Sequence, residues 1–306
     1  MAKRLPDNPD LQQYRRQAKD LRKALAQADP AALERLRLCH PRAEQVHKAR
    51  LADAQLVIAR EHGFASWPAF AAHIGAQHRG SAGGMPDKVA CGTGMLALEV
   101  AGAATARAVV LFITAGNVGR QHLGIRQIAH RLRQEDYATV LADLLTPDEA
   151  VRDAIDEDIR FDVPLLAARA ELVLDQIKAN RRLRSLPLAL FCAGAGGAAG
   201  VSLAARRPDA ADALVSLAGR PDLAGSAVAR LKAPTLFVVG GEDAVGHGFT
   251  KVMLDIFPRG VPSRLEVVRG VGLRFEEGPA AARAAELTLG WLETHLAGAA
   301  RREDAA

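Results

Sequence analysis

The sequence predicts an α/β protein: a mostly parallel sheet with helices on both faces, preceded by a small all-helical N-terminal module. Short apolar runs alternate with helical patterns from about residue 108 onward. The first 75 residues show helical spacing only, punctuated by Asn8-Pro9, Asp29-Pro30 and His40-Pro41. Between the two regions, residues 75–88 hold four glycines and no apolar period, the pattern of a flexible linker. The expected organisation is a basic helical module over 1–75, a Gly-rich linker over 76–88, an α/β domain over 89–297 and a disordered tail over 298–306.

In the N-terminal module, Leu11, Tyr14, Ala18, Leu21 and Leu25 follow helical spacing after Asn8-Pro9. A second helix starts at Asp29-Pro30, carries Leu33 and Leu36, and must stop near His40-Pro41. A third begins at Arg42 or Leu51, runs through Leu56, Val57 and Ile58, and ends at Gly63. Ser66-Trp67-Pro68 opens a short fourth. In the larger region the strands are expected at 108–114, 137–144, 186–192, 213–218, 234–240 and 264–269. Helices are expected at 125–134, 161–178, 197–205, 249–257 and 280–296. Strands apolar along their whole length imply a sheet covered on both faces. In such sheets the functional groups sit in loops at the carboxyl ends of the strands.

Composition bounds the function. Hydrophobic residues make up 49% of the 306 and charged ones 25%, which is globular rather than disordered. Only 4% are aromatic, so the core must be built from aliphatic side chains. Met1–Asp7 has no apolar core, which argues against a secretory signal. Leu186–Ala205 is twenty residues without a charge, yet Pro187 and four glycines make it a buried strand, a turn and a small-residue helix rather than a membrane span. The expectation is a cytoplasmic protein without a membrane partner. Cys39, Cys91 and Cys192 match no metal or redox spacing, so neither a disulfide framework nor a metal site is expected. Residues 1–80 hold fourteen Lys/Arg against eight Asp/Glu, and the other 226 hold twenty-six against twenty-seven. The basic surplus therefore belongs to the N-terminal module, where it marks either a solvated helix face or a surface for nucleic acid or an acidic partner.

Two resemblances follow from particular motifs. Gln17-Ala-Lys-Asp-Leu21, together with residues 51–68, resembles the helical segment that often precedes ankyrin repeats in bacterial proteins. No such repeats follow here, and the resemblance implies docking or scaffolding with no catalytic residue. The stretch from about Val109 to His295 resembles the dienelactone-hydrolase branch of the α/β-hydrolases. Its landmarks are Asp143-Leu-Leu-Thr-Pro147, Arg160-Phe-Asp-Val-Pro-Leu-Leu166, Arg207-Pro-Asp209, Gly219-Arg-Pro-Asp-Leu223, Ala233-Pro-Thr-Leu236 and Phe275-Glu-Glu277. The resemblance implies an α/β-hydrolase-like fold and hydrolysis of small esters or lactones by a nucleophile, a histidine and an acid. It implies no cofactor and no metal.

Carried over residue by residue, that resemblance finds the acid position at Asp243. The nucleophile position falls on Gly194 in Cys192-Ala-Gly-Ala-Gly196, and the histidine position on Leu273. A glycine adopts the backbone angles of such a turn but supplies no nucleophile, and a leucine accepts no proton. Of seven serines none stands at the turn. Cys192, two residues before it, is the candidate spare nucleophile, although a strand-end cysteine also reads as a small buried hydrophobe. His247, four residues past Asp243, and His122, after the first strong strand, are candidates for a rebuilt acid–base pair. Gly194-x-Gly196-x-x-Ala199 loosely matches a dinucleotide fingerprint but lacks the acidic residue after the next strand, so no cofactor is expected.

The leading expectation is a non-catalytic hydrolase relative that binds a small molecule or a protein. The competing one is weak ester or lactone hydrolysis through Cys192 with His247 and Asp243. A third places the function in the basic module of residues 1–75, binding nucleic acid or an acidic protein.

Overall fold

The computed structural model describes residues 3, 11–41, 43, 49–71, 74, 85–92, 94–102, 106–116, 118–276 and 278–296. Most of the expected linker and all of the expected tail lie outside these residues, as does the start at Asn8-Pro9. The chain divides into two compact units, Met1–Gly80 and Ser81–Ala306.

The first unit is helical: α1 (Leu11–Ala26), α2 (Pro30–Cys39), α3 (Leu51–Glu61) and a helical turn at 67–71. Asp29 caps α2 by accepting the N–H of Ala32 at 2.8 Å, and Pro30 fills the first helical position. Of the two starts open to the third helix, the later one is taken. Tyr14, Ala18, Leu21 and Leu25 of α1 meet Leu36, Val57, Ile58 and Phe70 in one small core. Phe70 is its aromatic centre, 5.0 Å from the Tyr14 ring and 5.3 Å from Phe64.

The second unit is an eight-stranded sheet in the order β1-β2-β4-β3-β5-β6-β7-β8. Its strands are β1 (Lys88–Ala90), β2 (Met95–Ala101), β3 (Ala108–Thr114), β4 (Tyr137–Asp143), β5 (Leu188–Ala193), β6 (Ala213–Leu217), β7 (Thr235–Gly240) and β8 (Ser263–Val268). β1 and β2 run antiparallel, and the remaining six are parallel to one another. The first two strands were not anticipated, and Lys88 begins β1 rather than closing a linker. The helices are α4 (Leu123–Gln134), α5 (Pro147–Asp156), α6 (Val163–Ala179), α7 (Gly196–Arg206), α8 (Ala244–Asp255) and α9 (Gly278–Leu296).

Two apolar layers explain the continuous runs. Val109, Leu111 and Ile113 pack on one face with Leu166, Leu174 and Leu203 of α6 and α7. Val110 and Phe112 pack on the other with Ile125 and Ile128 of α4 and Ala284 and Leu292 of α9. Alternate residues of β3 thus enter opposite cores, so positions 108–113 are all apolar, and the buried Thr114 at the strand's end donates its hydroxyl to the Ala142 carbonyl. The span-like segment at 186–205 resolves into buried β5 and small-residue α7. No helix among the described residues is long and apolar enough to cross a membrane.

Helix α5 was also unanticipated, and it anchors the loop after β4. Thr146 and Glu149 cap it reciprocally, Thr146 N donating to Glu149 Oε2 at 2.9 Å. The same carboxylate takes a two-pronged grip from Arg169 of α6 at 2.6 and 2.7 Å, and Arg169 also donates to the Leu144 carbonyl. The Arg169 guanidinium holds the Glu149 carboxyl at about 2, below its ordinary 4.5. A depressed folded value gives stability that is complete above pH 4.5 and lost as pH falls towards 2. Glu149→Gln should cost about 3 kcal/mol or more at neutral pH, since it strands a buried guanidinium. Its melting temperature should also fall less steeply than the wild type's on acidification through that window; parallel thermal-melt curves would contradict the assignment.

Candidate functional site

The site forms where β5 ends. Gly194 follows Ala193 with φ +56°, in the left-handed region, and α7 starts two residues later. The start of α7 is pressed against its neighbours. A Cβ on Gly196 would stand 2.3 Å from the Ile113 carbonyl oxygen, and one on Gly197 would stand 2.9 Å from the Gly219 Cα. Gly194 N donates to Leu217 O at 3.3 Å, tying the turn to the end of β6. Small residues here are therefore a packing requirement of the strand–turn–helix corner. A Cβ on Gly194 would face Val118, whose Cγ2 lies 3.1 Å from that position.

Above this turn lies a cleft of about 250 Å³. Ala193, Gly194 and Ala195 line it, with walls from Val118, Ile125, Phe161, Leu217, Leu273 and Phe275. Its polar side chains are His122, Glu157, Arg160, Arg220 and Arg274. No hydroxyl or thiol stands among these described lining residues. Two lining residues other than glycine hold positive φ, Glu157 at 57° and Ala218 at 44°. Such backbone costs on the order of 1–3 kcal/mol and gathers at functional clefts.

Each arginine is already engaged. Arg160 donates from Nε to Asp153 at 2.8 Å and from Nη1 to Glu157 at 3.0 Å. Arg220 grips Asp222 at 2.7 and 2.9 Å and lies over the Phe249 ring. Arg274 reaches Glu276 at 3.6 Å. Arg120 and Arg126 pair with Asp143 and Glu99 and do not line the cleft.

The structure brings only part of the predicted set together. Gly194 and Leu273 both line the cleft, the leucine being 58% exposed. Asp243 instead caps α8, its Oδ1 accepting the Gly246 N–H at 2.9 Å. That helix begins at Ala244, five residues before the expected start, so His247 sits in its first turn and is not among the cleft-lining residues. Cys192 is fully buried under α7, where a Cβ on Gly200 would come 2.0 Å from its sulfur. Burial alone pushes its thiol far above the ordinary cysteine value, the reverse of what a nucleophilic thiolate needs. Neither Cys192 nor His247 reaches the turn, and the proposed trio of Cys192, His247 and Asp243 is not assembled.

The histidine that does line the cleft is His122, at the start of α4. Its Nε2 lies 3.4 Å from Glu276 Oε1, while its buried Nδ1 has no hydrogen-bond partner. The pairing joins loops 154 positions apart, so spacing alone did not reveal it. Val118 was likewise missed, because nothing in the sequence marks its contact with the turn.

The parallel sheet, the left-handed turn between β5 and α7 and the cleft above it define an α/β-hydrolase fold. Residues 95–291 match the model of the dienelactone hydrolase family. This chain belongs to that family. It is 34% identical to the dienelactone hydrolase of Anabaena variabilis, with a TM-score of 0.64 over 68% of this chain and 96% of that one. The promiscuous phosphotriesterase P91 from metagenomic libraries shares the fold at 19% identity and a TM-score of 0.56, over 68% of this chain and 96% of that one. A Mycobacterium tuberculosis protein named "Putative phosphoribosyl transferase Rv0571c" is 35% identical over 192 residues. That alignment covers 63% of this chain and only 42% of the relative, so this chain spans less than half the length of the curated relatives it matches.

Burial holds His122 below its ordinary 6.5, and Glu276 pulls it part of the way back up. The neutral ring is therefore favoured in the fold, and its contribution to stability is lost as pH falls below 6.5 through the folded value. Titrating the histidines by NMR should place His122 below 6.5, and Glu276→Gln should move it lower still. An unchanged or higher midpoint in that variant would show that the pair is not coupled.

Proposed function

We propose that this chain is a hydrolase-fold binding protein: its cleft takes up a small molecule and does not turn it over. The observation that carries the reading is Gly194, a side-chain-free residue at the position the family resemblance gives to the nucleophile. The neighbouring space is closed by Val118, 3.1 Å from where a Cβ would stand. Leu273, at the histidine position, adds an apolar side chain where a base is needed. Without a nucleophile and a base, triad chemistry has neither an attacking atom nor a proton acceptor.

The lining suggests what fits. Six apolar side chains dominate the walls, and the three arginines are partly neutralised by their own carboxylates. The N–H groups that Arg220 and Arg274 do not use in these pairs are donors at the cleft wall. The ligand class that matches is a small, largely apolar molecule with a carbonyl or similar acceptor oxygen, the shape of an ester, lactone or amide. Phosphoribosyl transfer, in the name of the M. tuberculosis relative, stays with that longer protein, since more than half of it lies outside the match.

A second reading has one observation in its favour. His122 faces the cleft with Glu276 behind it, the arrangement of a general base that could activate water. One set of measurements separates the two. With activated short-chain esters and lactones, the wild type should show no turnover above buffer. Ligands of this class at about 100 Kd should raise the melting temperature by roughly 5–10 °C, and Phe161→Ala should reduce that rise. Gly194→Ser should remain inactive, whereas Gly194→Ser with Leu273→His and Val118→Ala should gain esterase activity. Wild-type turnover that disappears in His122→Ala would overturn the binding reading in favour of the second.

A further inference from the structure

The basic surplus of the N-terminal unit concentrates on one helix face. Helix α1 carries Arg15, Arg16, Lys19, Arg22 and Lys23 against a single acid, Asp20. All six are exposed. At about 100° per residue the five cations fall within an arc of about 120°, spread over about 12 Å of helix. Tyr14, Ala18, Leu21 and Leu25 occupy an arc of about 60° beside it and are buried in the unit's own core. None of the five cations pairs with a carboxylate among the described residues. Lys3 and Arg35, by contrast, both bind Glu61, at 3.0 and 2.7 Å.

We propose that this face of α1 binds the phosphate backbone of double-stranded nucleic acid. Three features select that partner among polyanions. A membrane-surface helix needs a free apolar face, and that of α1 is spent on the core. A protein interface is anchored by aromatic or other apolar side chains at its centre, and the exposed face of α1 offers only charged residues, Gln13, Gln17 and Ala26. Single-stranded nucleic acid is gripped by stacking on aromatic rings, and α1's one aromatic residue, Tyr14, is buried. What remains is a compact row of exposed cations, suited to backbone contacts without sequence readout.

The test uses the full chain and a fluorescent mixed-sequence DNA duplex of about 20 base pairs, read by anisotropy across a salt series. Five phosphate contacts predict a slope of log affinity against log salt near −4.5, a several-hundred-fold loss between about 50 and 200 mM. Substituting Arg15→Gln, Lys19→Gln and Arg22→Gln together should shrink that slope by about 3. Arg15→Lys with Arg22→Lys should leave it nearly unchanged. Absence of binding at the lowest salt, or a slope untouched by the triple substitution, would overturn the proposal. Equal affinity and slope for polyglutamate or for anionic lipid vesicles would overturn the assignment to nucleic acid.

Discussion

The corner joining β5 to α7 is the constraint on which the rest of the second unit depends. Three glycines let the helix start approach β3, the Gly219 turn and the Cys192 sulfur more closely than any side chain would allow. Gly194 adds the left-handed bend that lifts the chain into the cleft. This geometry holds a residue at the cleft floor with little freedom to shift, whatever that residue's side chain is. Where the turn carries a hydrogen atom, the same rigidity that would aim a nucleophile leaves a smooth apolar floor, and Val118 closes over it.

The carboxylates around the cleft act on loops rather than on a reacting atom. Asp143 accepts the Arg120 N–H and pairs with its guanidinium, fixing the loop after β3. Glu149 locks the loop after β4 through its cap and Arg169. Asp153 holds the backbone N–H and guanidinium of Arg160 at the cleft wall. Charge-assisted bonds of this kind are about twice as strong as neutral ones when buried. Of these arginines only Arg160 lines the cleft, where Asp153 and Glu157 partly offset its charge.

Five of the eight strands were legible because each is buried on both faces and so reads as a largely apolar run, whereas β8, which carries Arg264 and Glu266, is exposed or half-buried along most of its length. β1 and β2 were not: β1 is three residues long, and β2 alternates exposure and carries Glu99. Helix α5 has a signal in Thr146-Pro147-Asp148-Glu149, a capping box with a first-turn proline, of which the family landmark covers only Thr146 and Pro147. The start of α8 was missed because Ala244-Val-Gly-His-Gly248 has weak helix propensity, and its cap is the carboxylate of Asp243. The turn at Gly194 was legible, since a glycine between an apolar strand and a small-residue helix has few other uses. The position of Cys192 beneath the helix, the meeting of His122 with Glu276 and the closure by Val118 are long-range packing outcomes, and no local spacing encodes them.

A cleft that binds without turnover has no side chain that attacks a carbonyl or phosphorus centre. That absence is tested most directly by exposing the folded protein to a fluorophosphonate and an activated acyl probe, then weighing the intact chain. The mass should be unmodified under conditions that label an authentic serine hydrolase to completion. A single stoichiometric adduct, mapped by peptide sequencing to a side chain lining the cleft, would contradict it.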